Sequence, residues 1–273
     1  MLSPMAFLIL PTLFVITLGP TIPQVDRFSR RRLIATSATM PAMRTLDRRL
    51  RTSATGVLDT LFPPICAGCG RRGHWVCGDC RPTIQTLGEP ACDRCGALWS
   101  LRCVCDQLPD AVISIRSAFP FDGWVRHAIH CLKYEGERAR ARHLGDLLIP
   151  LLPLGVRVDT VVPVPLHPTR LRERGFNQAT LLARRFSASV DDISVVEIAR
   201  TGLVTPQVGL SSAERTANVA NAFVVPDVKA VDGRNLVLID DVITTTATVT
   251  ACATALAEAG AHTIRCLSIA RAE

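Results

Sequence analysis

The sequence predicts an α/β fold, a mainly parallel sheet flanked by helices, preceded by a small cysteine-rich module. Two observations carry this expectation. After Pro109, apolar runs of strand length alternate with helical patterns. Before it, eight of the 11 cysteines fall between Cys66 and Cys105, in a stretch too short to bury much of a core.

The elements follow in order. Ala111 to Phe121 alternates apolar residues and reads as a strand. Asp122 can cap the helix GWVRHAIHCLKYEG, which ends at Gly136. Arg138 to Leu148 has apolar residues at helical spacing. Val158 to Leu166 reads as a buried strand stopped by Pro165 and Pro168, followed by a basic loop, HPTRLRERGFNQ. A helix from about Asn177 to Ala188, a strand from Ile193 to Arg200 and a capped helix beginning at Ser211 or Ser212 come next. The apolar run from Leu236, a helix from Thr248 to Ala259 and a closing strand from His262 to Ala270 complete the pattern.

The stretch LVLIDDVITTTATV, Leu236 to Val249, carries the most chemistry. An apolar run fits a buried parallel strand, and open α/β sheets bind ligands where their strands end. Asp240 and Asp241 at that end can accept hydrogen bonds from a sugar diol. The hydroxyl-rich turn Thr244, Thr245, Thr246, Ala247 and Thr248 offers backbone N–H groups and a helix N-terminus to a phosphate. Together they describe a site for a ribose 5-phosphate.

The cysteines read CAGCG, CGDC, CDRCG and CVC, and Cys66, Cys69, Gly70 and Cys77 recur 26 residues later as Cys92, Cys95, Gly96 and Cys103. Paired C-x-x-C turns suit tetrahedral zinc. Sequential sites, Cys66/Cys69/Cys77/Cys80 and Cys92/Cys95/Cys103/Cys105, are preferred to cross-braced pairing because the intervals within each half are short. The final C-x-C fits if it is a strand, whose alternation would put both sulfurs on one face. His74 reads as surface, and Cys131, Cys252 and Cys266 read as core residues.

Composition is globular, with 48% hydrophobic residues and a net charge of +7. Residues 1–60 carry eight Arg and three acidic residues, while the rest carries 23 basic and 21 acidic residues. The folded part is nearly balanced, so charge alone argues weakly for DNA binding. Met5 to Leu18 is mostly apolar but interrupted by prolines, with no charge before Asp26. It fits neither a secretory signal nor a clean membrane span. The expectation is a disordered extension or a start at Met40 or Met43, with a membrane anchor as the weaker alternative, and a cytoplasmic protein for which a membrane partner is the less favoured reading.

The DD-containing string resembles the phosphoribosyl diphosphate (PRPP) motif of type I phosphoribosyltransferases, and the cysteine repeat resembles a double zinc ribbon. LKYEG, VPVPLHPTRLRERGFNQATLLA and RTGLVTPQVGLSSAERTANVANAF precede it in the order found in the ComF family. That family joins a phosphoribosyltransferase-like domain to an amino-terminal ribbon and is linked to DNA uptake in competent bacteria. The resemblance implies an extension over residues 1–57, a ribbon over 58–108 and a phosphoribosyltransferase-like domain over 109–273. It also implies two structural zinc ions and PRPP bound with Mg²⁺.

Under that resemblance, Asp240 and Asp241 face the ribose hydroxyls and Thr244 to Thr248 cradle the 5-phosphate. Diphosphate falls to the basic loop, with His167, Arg170, Arg172 and Arg174, and to Lys133 and Tyr134. Thr205, Gln207, Arg215 and Asn218 are candidates for the acceptor side. Thr246 stands where the family usually has glycine, and a β-branched residue resists the positive φ that glycine permits. Two readings stay open: transfer of phosphoribose to an unknown acceptor, and non-catalytic PRPP sensing. In the second, the ribbon contacts DNA-uptake or DNA-processing proteins, or single-stranded DNA.

Overall fold

In the computed structural model, the structure describes residues 63–83, 85–87, 90–98, 102–191, 193–201 and 222–272, all within one unit, Thr52–Glu273. The segment Met5 to Leu18, the helix from Ser211 or Ser212, and Thr205, Gln207, Arg215 and Asn218 lie outside the described residues.

Strand β1, Val112–Pro120, leads to helix α1, Gly123–Tyr134, where the Asp122 carboxylate accepts from Gly123 N. Helix α2 spans Arg140–Asp146 and strand β2 spans Thr160–Pro163. Helix α3, Pro168–Arg174, occupies the basic stretch expected to be a loop. Its ends are set by Pro168 at the first turn, His167 Nδ1 accepting from Thr169 N, and Gly175 with φ 76°. Helix α4, Gln178–Ser189, is capped by Asn177.

The single strand expected over Ile193 to Arg200 is two short ones, β3, Ser194–Val195, and β4, Ala199–Arg200. Strand β3 pairs in parallel with β2, whereas β4 pairs antiparallel with β5, Phe223–Val224. Strand β3 pairs only with Thr160 and Val161 of β2, and the chain then leaves the main sheet for its pairing with β5. Strand β6, Asn235–Ile243, helix α5, Ala247–Glu258, and strand β7, Thr263–Arg271, follow.

The main sheet runs β1-β7-β6-β2-β3, with every pairing parallel. Strand β7 therefore lies inside the sheet, and β1 forms its margin. Alternation along β6 divides the core into two layers. Leu236 and Leu238 pack towards Val249, Cys252 and Leu256 of α5 and towards Cys95 and Ala97 of the cysteine module. Val237 and Ile239 face Ile129 and Leu132 of α1, Leu144 of α2, and Leu182 and Phe186 of α4. Cys252 and Cys266 are core residues as expected, while Cys131 is buried but belongs to neither apolar layer.

The cysteine module is fastened to both sides of the α/β domain. Arg140, 1% exposed, donates from Nη2 to Ile65 O and lies over the Trp75 ring at 4.7 Å. The second half lies along the free margin of β1, where Ile115 N donates to Arg94 O at 2.8 Å. The Arg94 guanidinium donates to the carbonyls of Cys105, Leu108, Pro109 and Val112. Buried Arg271 donates to Cys95 O and Gly96 O. A Cβ on Gly96 would stand 2.3 Å from Ile115 O, whereas one on Gly70 would meet nothing within 4 Å. A sheet margin that would otherwise invite another strand is thus covered.

Candidate functional site

Two cysteine groups and one acidic strand end account for most of the unusual chemistry. Cys66, Cys69, Cys77 and Cys80 bring their sulfurs within 4.8 Å of one another, and Cys92, Cys95, Cys103 and Cys105 do the same. The grouping is sequential. Tetrahedral zinc with Zn–S bonds of about 2.3 Å requires S···S edges near 3.8 Å. The observed separations are 3.6 Å for Cys69–Cys77, 3.4 Å for Cys92–Cys105, 3.6 Å for Cys95–Cys103 and 3.8 Å for Cys92–Cys103. The donor sets fit Zn²⁺. Cys105 begins a 3₁₀ turn, Cys105–Gln107, rather than continuing a strand, so the turn brings its sulfur round. His74 is exposed, as expected.

At the carboxyl end of the sheet, Asp240 and Asp241 occupy consecutive β6 positions and so address opposite faces. Asp241 is 3% exposed and points towards α1 and α4. It forms an ion pair with Lys133 and accepts from Gln178 Nε2 at 3.0 Å. Asp240 lies on the α5 side, and its Oδ1 accepts from Asp241 N at 2.8 Å. Burial, reinforced by the neighbouring Asp241 charge, raises the Asp240 carboxyl well above the usual carboxylate range. A divalent cation beside it would favour its charged form.

Lys133 links this strand end to a cleft of about 480 Å³ lined by Lys133, Tyr134, Arg138, Arg170, Arg174 and Phe176, with Glu173 the acidic member. Arg170 and Arg174 reach it because they are one helical turn apart on α3. Arg172 instead donates to Thr169 Oγ1, and His167 serves as the α3 cap. Arg174 lies over the Tyr134 ring at 5.0 Å, and Arg138 over the Phe176 ring at 4.6 Å. Arg174 Nη1 also donates to Gln178 Oε1. A polar chain therefore runs Arg174–Gln178–Asp241–Lys133.

Sequence reasoning missed Gln178, Arg138 and Phe176. Gln178 was within reach, because it directly follows the Asn177 cap in a block already singled out. Thr244 to Thr248 lead into α5, with Thr246 at its N-cap. The expected conflict at Thr246 is absent, since its φ of −70° is ordinary helical backbone that a β-branched residue adopts freely.

The sheet and the cysteine clusters together define a phosphoribosyltransferase-type α/β protein with a zinc-binding double ribbon. Family models agree: "Double zinc ribbon domain" matches residues 57–108, and "Phosphoribosyl transferase domain" matches residues 171–273. The chain belongs to the ComF family, being 31% identical over 211 residues to the DNA utilization protein YhgH of Escherichia coli K12, covering 73% of this chain and 92% of that one. It is also 28% identical to Competence protein F of Haemophilus influenzae, covering 76% and 90%, and 26% identical to Competence protein ComFC of Streptococcus pneumoniae, covering 72% and 87%. Among solved structures, the glutamine PRPP amidotransferase of B. subtilis overlaps 48% of this chain and 26% of its own, with a TM-score of 0.37 and 21% identity. The chain spans about a quarter of that enzyme. Among the described residues, no helix is long and apolar enough to cross a membrane.

Proposed function

We propose that this protein binds PRPP with Mg²⁺ at the carboxyl margin of its sheet and transfers the phosphoribosyl group to a nucleobase-like acceptor. The observation that carries this reading is the convergence of Lys133, Arg138, Arg170 and Arg174 on one cleft, with Lys133 paired to the strand-end Asp241. Guanidinium groups match phosphate oxygens in geometry and charge, and a diphosphate is the ligand that needs several of them. Its entry gives Lys133 a second anion and loosens its hold on Asp241. Asp240, joined by the freed Asp241, then takes the ribose hydroxyls, and the backbone of Thr244 to Thr248 takes the 5-phosphate.

During transfer the C1–O bond to diphosphate breaks, and the electron pair leaves with diphosphate as the acceptor nitrogen bonds to C1. Asp240 would be the residue to hold Mg²⁺, which when bound would offset part of the ligand's negative charge. The chain's share is to hold the leaving group, fix the ribose and exclude water. No side-chain nucleophile is required.

A second reading is PRPP sensing without turnover in DNA uptake or processing. Its support is the names of the relatives, which concern competence and DNA utilization, and the firm attachment of the ribbon to the domain. Titration of the zinc-loaded protein with PRPP and Mg²⁺, followed by both heat and released diphosphate, separates the two. The transfer reading expects saturable binding and acceptor-dependent diphosphate release that Asp240→Asn abolishes. Binding with no release across a panel of nucleobases leaves the sensing reading, and absence of binding overturns both.

A further inference from the structure

Outside the ribbon and the cleft, one cluster of ligating side chains has no part in the function described above. Cys131, Glu135 and Glu137 bring a sulfur and two carboxylate oxygens within 4.8 Å of one another. His127 adds a nitrogen, its Nε2 lying 3.4 Å from Cys131 Sγ. His127, Cys131 and Glu135 are spaced i, i+4, i+8, so they form a single stripe along the last turns of α1 and its end. Glu137 reaches the same point from the following turn, with its Oε2 held by Arg140.

The surroundings differ from those of an ordinary core thiol. Cys131 is 2% exposed but lies outside both apolar layers, and its sulfur faces an imidazole and carboxylates. His127 and Glu135 are exposed, so both can adjust without disturbing the core. His130 Nδ1 lies 3.2 Å from Glu135 Oε1, placing an outer partner behind that carboxylate.

We infer that His127, Cys131, Glu135 and Glu137 form a third metal site, separate from the two ribbon sites and suited to Zn²⁺ or another borderline divalent cation. Imidazole, thiolate and carboxylate are the donors that such ions take, and four of them close a tetrahedron. Tetrahedral ligand atoms lie about 3.3–3.8 Å apart. Cys131, Glu135 and Glu137 already stand within 4.8 Å of one another, and closing the set requires the exposed His127 and Glu135 side chains to turn towards the Cys131 sulfur. On binding, the Cys131 S–H bond gives its proton to solvent and a sulfur–metal bond replaces it.

The site can be tested with Zn²⁺ alone on the full chain, by native mass spectrometry and competition against a chromophoric chelator. Wild type is expected to hold three equivalents, the third more weakly than the first two. His127→Asn and Glu135→Gln each change an exposed residue, and each should weaken only the third equivalent by about 10–100-fold or more. Retention of the two ribbon ions in those variants shows that the fold has survived. Two equivalents in wild type, or a third equivalent unchanged in both variants, would overturn the assignment.

Discussion

Gln178 Nε2 donates to Asp241 Oδ1 at 3.0 Å, while Gln178 Oε1 accepts from Arg174. One side chain thus ties the acidic end of β6 to the cationic helix α3. An amide can do this because it donates and accepts at once. Gln178→Leu keeps the bulk and removes both bonds, leaving one Asp241 oxygen without its donor. The expected cost is about 1–3 kcal/mol, read by urea unfolding. In the PRPP-binding reading, affinity falls as Arg174 loses its anchor, and calorimetry measures that loss separately.

Lys133 and Asp241 form an ion pair in which the side chains are 19% and 4% exposed. Breaking such a pair leaves a buried charge with one remaining donor. Lys133→Met should therefore destabilise the protein by about 3 kcal/mol. Lys133→Met combined with Asp241→Leu should recover much of that stability and, in the PRPP-binding reading, still lack PRPP affinity. A double variant no more stable than the single one would show that the pair is not the source of the loss.

Asp240 gives a pH signature. Its folded carboxyl titrates above the ordinary carboxylate range because burial, then the Asp241 charge, disfavours ionisation. The folded state therefore holds this proton more tightly than the unfolded state. Its unfavourable contribution grows as pH rises from the unfolded pKa of about 3.9 through the raised folded value, and disappears on acidification. Asp240→Asn should melt a few degrees higher at neutral pH, at about 2–4 °C for each kcal/mol. That advantage should shrink as pH falls towards 4; in the transfer reading, the same change also removes PRPP turnover. Melting curves across pH check the trend, and a pH-independent gain would contradict it.

The two ribbon turns should respond unequally to the same substitution. Gly70 and Gly96 have φ of 75° and 64°, so alanine at either position incurs a left-handed backbone penalty of about 1–2 kcal/mol. Only at Gly96 does the new Cβ also meet Ile115 O, at 2.3 Å. Gly70→Ala should lower the melting temperature by a few degrees. Gly96→Ala should lower it by about 10 °C or more and speed zinc loss to a chelator. Equal effects would mean that the second turn is not pressed against β1.

Zinc removal by chelation is expected to do more than unfold a peripheral module. With the second cluster lost, the β1 margin is exposed, and aggregation should follow at concentrations where the zinc-loaded protein stays monodisperse. Light scattering with and without chelator gives the answer.

The sequence signals differ in how far they carried. The apolar run before Asp240 and the Asp122 cap identified β6 and α1 because each has a strong local cause. The basic stretch read as a loop carried Pro168 and Gly175 at the ends of a helix, so that signal was present but outweighed by its charge. The break between β3 and β4 was not readable locally, since it depends on the partner each half finds, β2 for one and β5 for the other. The pairing of Lys133 with Asp241 joins residues 108 positions apart, and only packing of α1 against the sheet brings them together. For Thr246, steric reasoning about glycine met a turn that stays in helical backbone.

The Arg94 guanidinium, bonded to carbonyls from Cys105 to Val112, leaves the passage between ribbon and sheet without a hinge. A macromolecule grasped by the outer ribbon turn would sit at a fixed offset from the cationic cleft. In the sensing reading, the ribbon would then act as a ruler, setting which part of a bound partner can reach the strand ends.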